Sequence, residues 1–314
     1  MAGSIADKLQ KIWARWSALP AFAMAFLRYR REAKGRGYTI AAGAWWTALG
    51  NISVFGIVLG RLRGIAHRKG LHARIQFSGN GVIIPNGPAI ELPDVSNAGN
   101  VVANDINEIF FDHAYGCADI APGPGDLTLD CGANVGLFAH WAAPLIGKTG
   151  HIICFEPEPM LADILDRNLH KLEGSVKTTI IRSALGDRAG EVDFVFDAGC
   201  FTTSRIANTD QTEAEGVHST QRHRVTVRTI DEVVTTLNLP RVDFIKMDIE
   251  GYEIPALEGA RETLHKFAPK LAISAYHNPL DVAEIPKLIS RSNPSYSVKC
   301  VATPTLVCFA APTN

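Results

Sequence analysis

Residues 126–157, DLTLDCGANVGLFAHWAAPLIGKTGHIICFEP, decide the fold of this chain. Apolar residues lead up to Asp130, which predicts a strand, and the glycines at Gly132 and Gly136 predict a tight turn. Apolar residues then recur at spacings of three and four, which predicts a helix, and a second apolar run ends at Glu156. Strand, turn, helix and strand in this order are typical of an α/β fold with a doubly wound sheet.

The turn and the acid that follows it indicate a nucleoside ligand. Glycines let the backbone approach a ligand closely, and the start of the helix offers unpaired N–H groups. Glu156 is predicted at the tip of the next strand, where a carboxylate can hold ribose hydroxyls. A dinucleotide site would carry a glycine where Asn134 stands. With Asp130 facing a cationic tail, the pattern favours S-adenosylmethionine; the alternative is a structural turn without a ligand.

A second stretch, residues 242–251 with the sequence VDFIKMDIEG, predicts a buried strand that ends in carboxylates. Asp248 and His277 follow consecutive predicted strands, and the tips of such strands are neighbours in a parallel sheet. Methyl transfer to a hydroxyl needs a base, and the unperturbed pKa of histidine suits His277 to that role. Asp248 would orient His277 or the acceptor, and Lys246 would pair with Glu250 or contact the substrate. A histidine that is only hydrogen-bonded near a turn remains the alternative for His277.

A divalent metal is a second way to activate the acceptor hydroxyl. Asp248, His277 and Asn278 are the candidate ligands, and a cation bound there would lower the pKa of the hydroxyl. These residues lack the fixed spacing that identifies many metal sites, so a metal is not favoured.

Four motifs resemble the FkbM family of S-adenosylmethionine-dependent methyltransferases. They are LDCGANVG at 129–136, FEPEP at 155–159, SALGD at 183–187 and DFIKMDIEGYEIPALEGA at 243–260. The resemblance covers roughly residues 105–300 and includes a histidine at the position of His277. It implies a Rossmann-like class I methyltransferase fold, in which a seven-stranded, mostly parallel sheet has an antiparallel last strand. It also implies O-methylation, often of sugar or polyketide-type hydroxyls.

The resemblance implies a set of cofactor-binding residues. Those expected at the methionine end are Asp130, Gly132, Asn134 and Gly136. Glu156 would hold the ribose, Ser183 and Ala184 would line the adenine, and Asp248 would lie near the transferred methyl group. Ala275 and Tyr276 stand where similar proteins carry a carboxylate shortly before the histidine, which argues further against a metal.

The charge distribution predicts three parts of the chain. Residues 1–75 carry a net charge near +11 and the remainder one near −12, although the whole chain is almost neutral. The first part, 1–75, is predicted to be a basic, tryptophan-containing helical extension. Residues 76–125 form a connecting region and cap, and residues 126–314 form the methyltransferase domain.

Two interpretations of residues 1–75 remain open. Amphipathic helices with tryptophan and basic residues suit a peripheral membrane contact, whereas a cap or a dimer arm on the catalytic domain would use the same apolar face. No nucleic-acid-binding motif is present, and no apolar run is long enough to span a bilayer. With no signal peptide and no paired cysteine spacing, the cytoplasm is expected, with peripheral contact at the inner membrane face left open. Cys131, Cys154, Cys300 and Cys308 are expected to be small buried core residues.

The sequence therefore predicts an O-methyltransferase that acts on a glycan, a glycolipid or a secondary metabolite. A nicotinamide-dependent oxidoreductase and a non-catalytic membrane-associated scaffold are the alternatives. Residues from 197 to about 222 lack apolar periodicity and are expected to form a loop that covers the substrate. Tyr115 would either close over the cofactor or pack as a core aromatic.

Overall fold

The computed structural model describes residues 76–78, 81–83, 89–95, 98–117, 120–197, 200–207, 220–302 and 305–313. The predicted helical extension, 1–75, lies outside the described residues, so its helices, its partners and its contact with a membrane remain predictions. None of the described helices combines the length and the apolar character needed to cross a bilayer.

The first part of the described chain leads into the methyltransferase motif. It contains the short strands β1 (Gln76–Ser78), β2 (Gly81–Ile83) and β3 (Ala89–Glu91), the helix α1 (Ala98–Ile106), a π-helical turn (Asn107–Phe111), the strand β4 (Leu127–Cys131), the helix α2 (Leu137–Ile146), the strand β5 (His151–Phe155), the helix α3 (Pro159–His170) and the strand β6 (Lys177–Ile181).

The second part completes the sheet and adds a smaller one. It contains β7 (Ala184–Leu185), β8 (Gly190–Asp197), a 3-10 turn (Phe201–Thr203), β9 (Arg205–Ile206), β10 (Thr220–Arg228), α4 (Ile230–Thr236), β11 (Phe244–Met247), α5 (Glu253–Glu258), α6 (Arg261–Phe267), β12 (Lys270–Ser274), α7 (Asp281–Ser292), β13 (Tyr296–Ala302) and β14 (Leu306–Pro312).

Seven strands form the large sheet in the order β13-β14-β12-β11-β4-β5-β6. The pairs from β12 to β6 are parallel, and the last strand of the chain, β14, runs antiparallel between β12 and β13. The predicted seven-stranded sheet with an antiparallel last strand is confirmed. Strand order reverses between β4 and β11, and ligands of doubly wound folds bind beyond the strand tips at such a switch point.

Helices cover both faces of this sheet. Neighbouring residues on one strand point to opposite faces, so Phe244 packs in one core with Phe138 of α2 while Ile245 packs in another with Leu257 of α5. The central strand β4 is buried along its whole length. Both faces of the sheet are therefore largely apolar, and polar groups that could meet a ligand lie near the strand tips.

The predicted loop at 197 to about 222 is only partly correct. Strand β8 extends to Asp197, the 3-10 turn and β9 follow, and β10 begins at Thr220, so several of these residues belong to the small sheet β7-β10-β8-β9. The sequence predicts the second half of β10 as a strand, at 224–228, but the polar residues of β9 and of 220–223 give no strand pattern, because one face of a small sheet is open to solvent. Residues 208–219 lie outside the described part.

Two of the cysteines form a disulfide, which corrects the expectation that they are simple core residues. Cys300 of β13 and Cys308 of β14 face each other directly in the antiparallel pair, with Cα atoms 4.0 Å apart, and their sulfur atoms are bonded. The pairing depends on the register of the two strands, which spacing along the chain does not reveal. Cys131 and Cys154 are buried free thiols, as expected.

Candidate active site

The glycine turn after β4 lies directly against the end of β11. Gly132 has a φ of +81°, and a Cβ atom at this position would overlap the backbone carbonyl oxygen of Asp248. Gly136, with a φ of +93°, is the N-cap that precedes α2. Only glycine adopts such angles without strain and leaves room for the neighbouring strand end. The turn therefore brings the tips of two central strands into contact.

Glu156 projects from the tip of β5 beneath this turn. Its Oε2 atom accepts a hydrogen bond of 2.9 Å from the backbone N–H of Asn134, and its Oε1 accepts one of 2.9 Å from Glu158. Burial raises the pKa of Glu156 to about 7, although both backbone hydrogen bonds act in the opposite direction. The carboxylate is thus held in one orientation at the edge of the crevice.

Asp130 lies below the turn and is fully buried. Its Oδ1 atom is 3.0 Å from the ammonium of Lys246, which also donates a 2.7 Å hydrogen bond to the carbonyl of Gly132. Burial alone would lower the pKa of Lys246, but the charges of Asp130 and Asp248 raise it. The ion pair of Lys246 is with Asp130, whereas the sequence suggested Glu250 as its partner.

Asp248 follows β11 and is bracketed by two phenols. Tyr115 donates a 2.7 Å hydrogen bond to its Oδ2 atom, and Tyr276 donates one of 3.1 Å to its Oδ1. Burial would raise the pKa of Asp248, but the charges of Lys246 and His277 outweigh that effect and lower it. Asp248 is therefore an ionised acceptor of hydrogen bonds. Tyr115 is both a packed aromatic and a partner of this carboxylate.

His277 stands behind Asp248, with a side chain that is 9% exposed. Its Nδ1 atom is 3.0 Å from Glu253, and its Nε2 is 3.5 Å from Glu250 and 3.6 Å from Asp248. Burial would lower the pKa of His277, but these three carboxylates raise it to about 10. The amide of Asn278 points elsewhere, toward Gly251 and Asp281.

Glu156, Lys246 and Asp248 line a cavity of about 370 Å³, a size typical of small-molecule sites. The predicted site residues that line it are Gly132, Asn134, Glu156, Ser183, Ala184, Lys246 and Asp248. Those that do not are Asp130, Gly136, His277 and Asn278. The buried hydroxyl of Ser183 has no hydrogen-bond partner within the described chain, so this polar atom is free to meet a ligand.

Sequence reasoning missed several residues around the cavity. Asp105 and Glu108 reach it from α1 and the π-helical turn, and Thr202 and Ser204 reach it from the segment before β9. Burial raises the pKa of Glu108 to about 7, and the charge of Asp248 acts in the same direction. Nothing in the spacing of these residues marked them, because they belong to elements whose packing on the sheet is not local. The acidic end of the cavity is thus visible only in three dimensions.

One family model and several known proteins match the sequence of this chain. The methyltransferase FkbM domain matches residues 130–294. The hexuronic acid methyltransferase AglP of Haloferax volcanii is 27% identical over 176 residues, which are 55% of this chain and 65% of that protein. The 2-O-methyltransferase NoeI of Sinorhizobium fredii is 28% identical over 151 residues, which are 46% of this chain and 60% of that protein. The chain thus spans less than two thirds of each of these relatives.

Among solved structures, the methyltransferase FkbM of Methylobacillus flagellatus KT is similar to this chain at 18% identity. The match covers 68% of this chain and 60% of that one, with a TM-score of 0.44.

Proposed function

The chain belongs to the FkbM methyltransferase family, and from this premise we propose that it transfers a methyl group from S-adenosylmethionine to a hydroxyl of a glycan, a glycolipid or a secondary metabolite. In that reaction the acceptor oxygen bonds to the methyl carbon while the carbon–sulfur bond breaks, the sulfur keeps the electron pair, and the hydroxyl proton passes to the carboxylate of Asp248 and from there to solvent. S-adenosylhomocysteine and a methyl ether are the products.

The fixed carboxylate of Glu156 is the observation that carries this proposal. Two backbone N–H groups hold it next to the glycine turn, where it can accept hydrogen bonds from the ribose. The unpaired hydroxyl of Ser183, with Ala184 beside it, suits the adenine edge. Gly132 and Asn134 would line the methionine end. Asp130 would act there indirectly, since it binds Lys246 beneath the turn.

Asp248 would meet the acceptor at the other end of the cavity. Its carboxylate lines the cavity, and each oxygen can accept a further hydrogen bond beside the one from a tyrosine. It would therefore orient the acceptor hydroxyl and receive its hydrogen bond as the proton leaves. His277 does not line the cavity, so its contribution would pass through Asp248, which it contacts from behind.

Two relatives support the finer part of the proposal. The name of AglP specifies a hexuronic acid, which is a sugar acid, and the name of NoeI specifies an oxygen position, and together they favour a carbohydrate oxygen as the acceptor of this chain. Membership of a methyltransferase family and the absence of a middle glycine at Asn134 both count against a nicotinamide-dependent oxidoreductase.

Calorimetry of the full chain with S-adenosylhomocysteine tests the donor site. We expect binding by the wild type, at least tenfold weaker binding by Glu156→Gln, and unchanged binding by the exposed control Glu173→Gln. A folded wild type that binds NADH but not S-adenosylhomocysteine would refute the proposal. A labelled-methyl assay against sugar, glycolipid and phenolic acceptors then identifies the acceptor class.

A further inference from the structure

We propose that Asp248, Glu250 and His277 bind a divalent cation at the acceptor end of the cavity. The use of this cation in methyl transfer rests on the proposed function, whereas its binding does not. Asp248 and Glu250 line the cavity, and His277 closes the cluster from behind.

The ligand atoms are close enough to share one ion. One atom from each residue lies within 4.8 Å of the others, and among the described residues this is the only such cluster of histidine, cysteine and carboxylate groups. The imidazole Nε2 is 3.6 Å from Asp248 Oδ1 and 3.5 Å from Glu250 Oε2. These two separations are compatible with an ion that lies about 2.1 Å from Nε2 and from each of the two oxygens in turn, which is an ordinary metal–ligand distance, and small side-chain rotations would bring the two oxygens to the same ion.

The environment of His277 resembles that of a metal-binding histidine. Its Nδ1 lies 3.0 Å from the fully buried carboxylate of Glu253, whose Oε1 atom also accepts a hydrogen bond from the N–H of Ile249. Metal-bound histidines commonly have a carboxylate at the other ring nitrogen. Glu253 occupies that position as an ion-pair partner of Nδ1, while Nε2 faces Asp248 and Glu250.

The Nε2 atom is buried and makes no hydrogen bond to any described residue, and its contacts with Asp248 and Glu250 are long ion-pair contacts. A buried polar atom without a hydrogen bond costs free energy. The side chain is more than nine-tenths buried and aims at two carboxylate oxygens across gaps that are too long for good hydrogen bonds. An ion between the three groups would satisfy all of them at once.

The charge of the cavity also suits a cation. Asp105 and Glu108 line it together with Asp248 and Glu250. The lysine at this end, Lys246, is already paired with Asp130. Three protein ligands leave positions open for an acceptor oxygen, whose pKa a bound cation would lower.

These three metal ligands differ from those considered from the sequence, because Glu250 takes the place of Asn278. A mixture of imidazole nitrogen and carboxylate oxygen fits Mn²⁺ or Zn²⁺ better than a purely oxygen-binding ion. Mn²⁺ is the more informative probe because its electron paramagnetic resonance reports both binding and the ligand nitrogen.

The experiment is a titration of the full chain, free of any histidine tag, with Mn²⁺ followed by calorimetry and paramagnetic resonance. We expect a single tight site, and His277→Gln and Asp248→Asn should each weaken it at least tenfold. Glu253→Gln, which removes only the positioning group, should weaken it about 10- to 100-fold. The control His170→Gln changes an exposed histidine and should bind like the wild type.

Two results would overturn the site: no binding of Mn²⁺ or Zn²⁺ below millimolar concentration, or equal binding by folded His277→Gln. If that variant fails to fold, the wild-type spectrum decides, since bound Mn²⁺ without coupling to a nitrogen nucleus would also exclude His277 as a ligand. Binding of S-adenosylhomocysteine by metal-free protein is measured separately. Absence of S-adenosylhomocysteine binding would refute the proposed function and leave the cation site intact. Absence of Mn²⁺ binding by a protein that binds S-adenosylhomocysteine would refute the cation site and leave the proposed function intact.

Discussion

Lys246 and Asp130 form a buried ion pair across two adjacent central strands, with 3.0 Å between Nζ and Oδ1. The two residues are direct partners in the register of β11 and β4. Lys246 also donates a hydrogen bond to the carbonyl of Gly132, so the pair supports the glycine turn from below. The charges at the strand tips are thus linked to the backbone that would carry the methyl donor.

Replacement of Lys246 by methionine should destabilise the protein by about 3–5 kcal/mol, because it leaves the Asp130 carboxylate buried without a counter-charge. Urea unfolding measures this change. The double variant Lys246→Met/Asp130→Asn should recover part of the loss, and Lys299→Met on an exposed lysine should lie within about 0.5 kcal/mol of the wild type. Equal stability of Lys246→Met and the control would show that the pair is not structural.

Gly132→Ala should destabilise the protein much more than Gly174→Ala, although the two glycines have similar φ values. Gly132 and Gly174 have φ values of +81° and +77°, but only at Gly132 would a Cβ meet the carbonyl of Asp248. Both variants bear the left-handed strain of about 1–2 kcal/mol. The overlap should add about 1–3 kcal/mol at Gly132 and abolish binding of S-adenosylhomocysteine. Similar melting temperatures for the two variants would contradict this account of the turn.

The affinity for S-adenosylhomocysteine should depend on pH through Glu156. Burial raises the pKa of this carboxyl to about 7, and the ionised form is the better acceptor for ribose hydroxyls. Below pH 7 the ionised fraction falls about tenfold per pH unit, so affinity should fall with it. Above pH 7 affinity should level off.

A calorimetric series between pH 5.5 and 8.5 tests the dependence on Glu156. The Glu156→Gln variant should bind weakly with a flat profile. Glu108 also has a pKa of about 7 but lies at the acidic end of the cavity, so Glu108→Gln should retain the wild-type profile. A flat profile for the wild type would exclude Glu156 as the ribose ligand.

Asp248→Asn should separate catalysis from donor binding. The amide keeps the shape of the side chain but lacks the negative charge that receives the hydrogen bond of the acceptor, so turnover should fall about 10²-fold or more. Binding of S-adenosylhomocysteine should change by no more than about threefold. Labelled-methyl transfer and calorimetry provide the two readouts. A variant that turns over normally would remove Asp248 from the mechanism, and Asp187→Asn on the surface serves as the control.

Much of the site could be predicted because it follows from local patterns. The glycine turn, the acid at the tip of β5 and the carboxylates after β11 are each set by a few consecutive residues, whose periodicity and turn chemistry can be recognised without knowing the rest of the chain. The proximity of Asp248 and His277 also follows from the order of the strands, since consecutive parallel strands present their tips at one edge of the sheet.

Local sequence patterns were sufficient to predict the strands of the large sheet and their order along the chain, the glycine turn and the acidic strand tips. Only the packing of distant segments shows which polar side chains meet. Lys246 pairs with Asp130, Glu253 pairs with His277, and Tyr115 donates a hydrogen bond to Asp248. It also decided that Cys300 and Cys308 are bonded, because that requires one register of a hairpin. The physical reason is the same in each case. Side-chain contacts between distant segments depend on strand register and helix packing to within an ångström or two, and periodicity along a chain carries no such information.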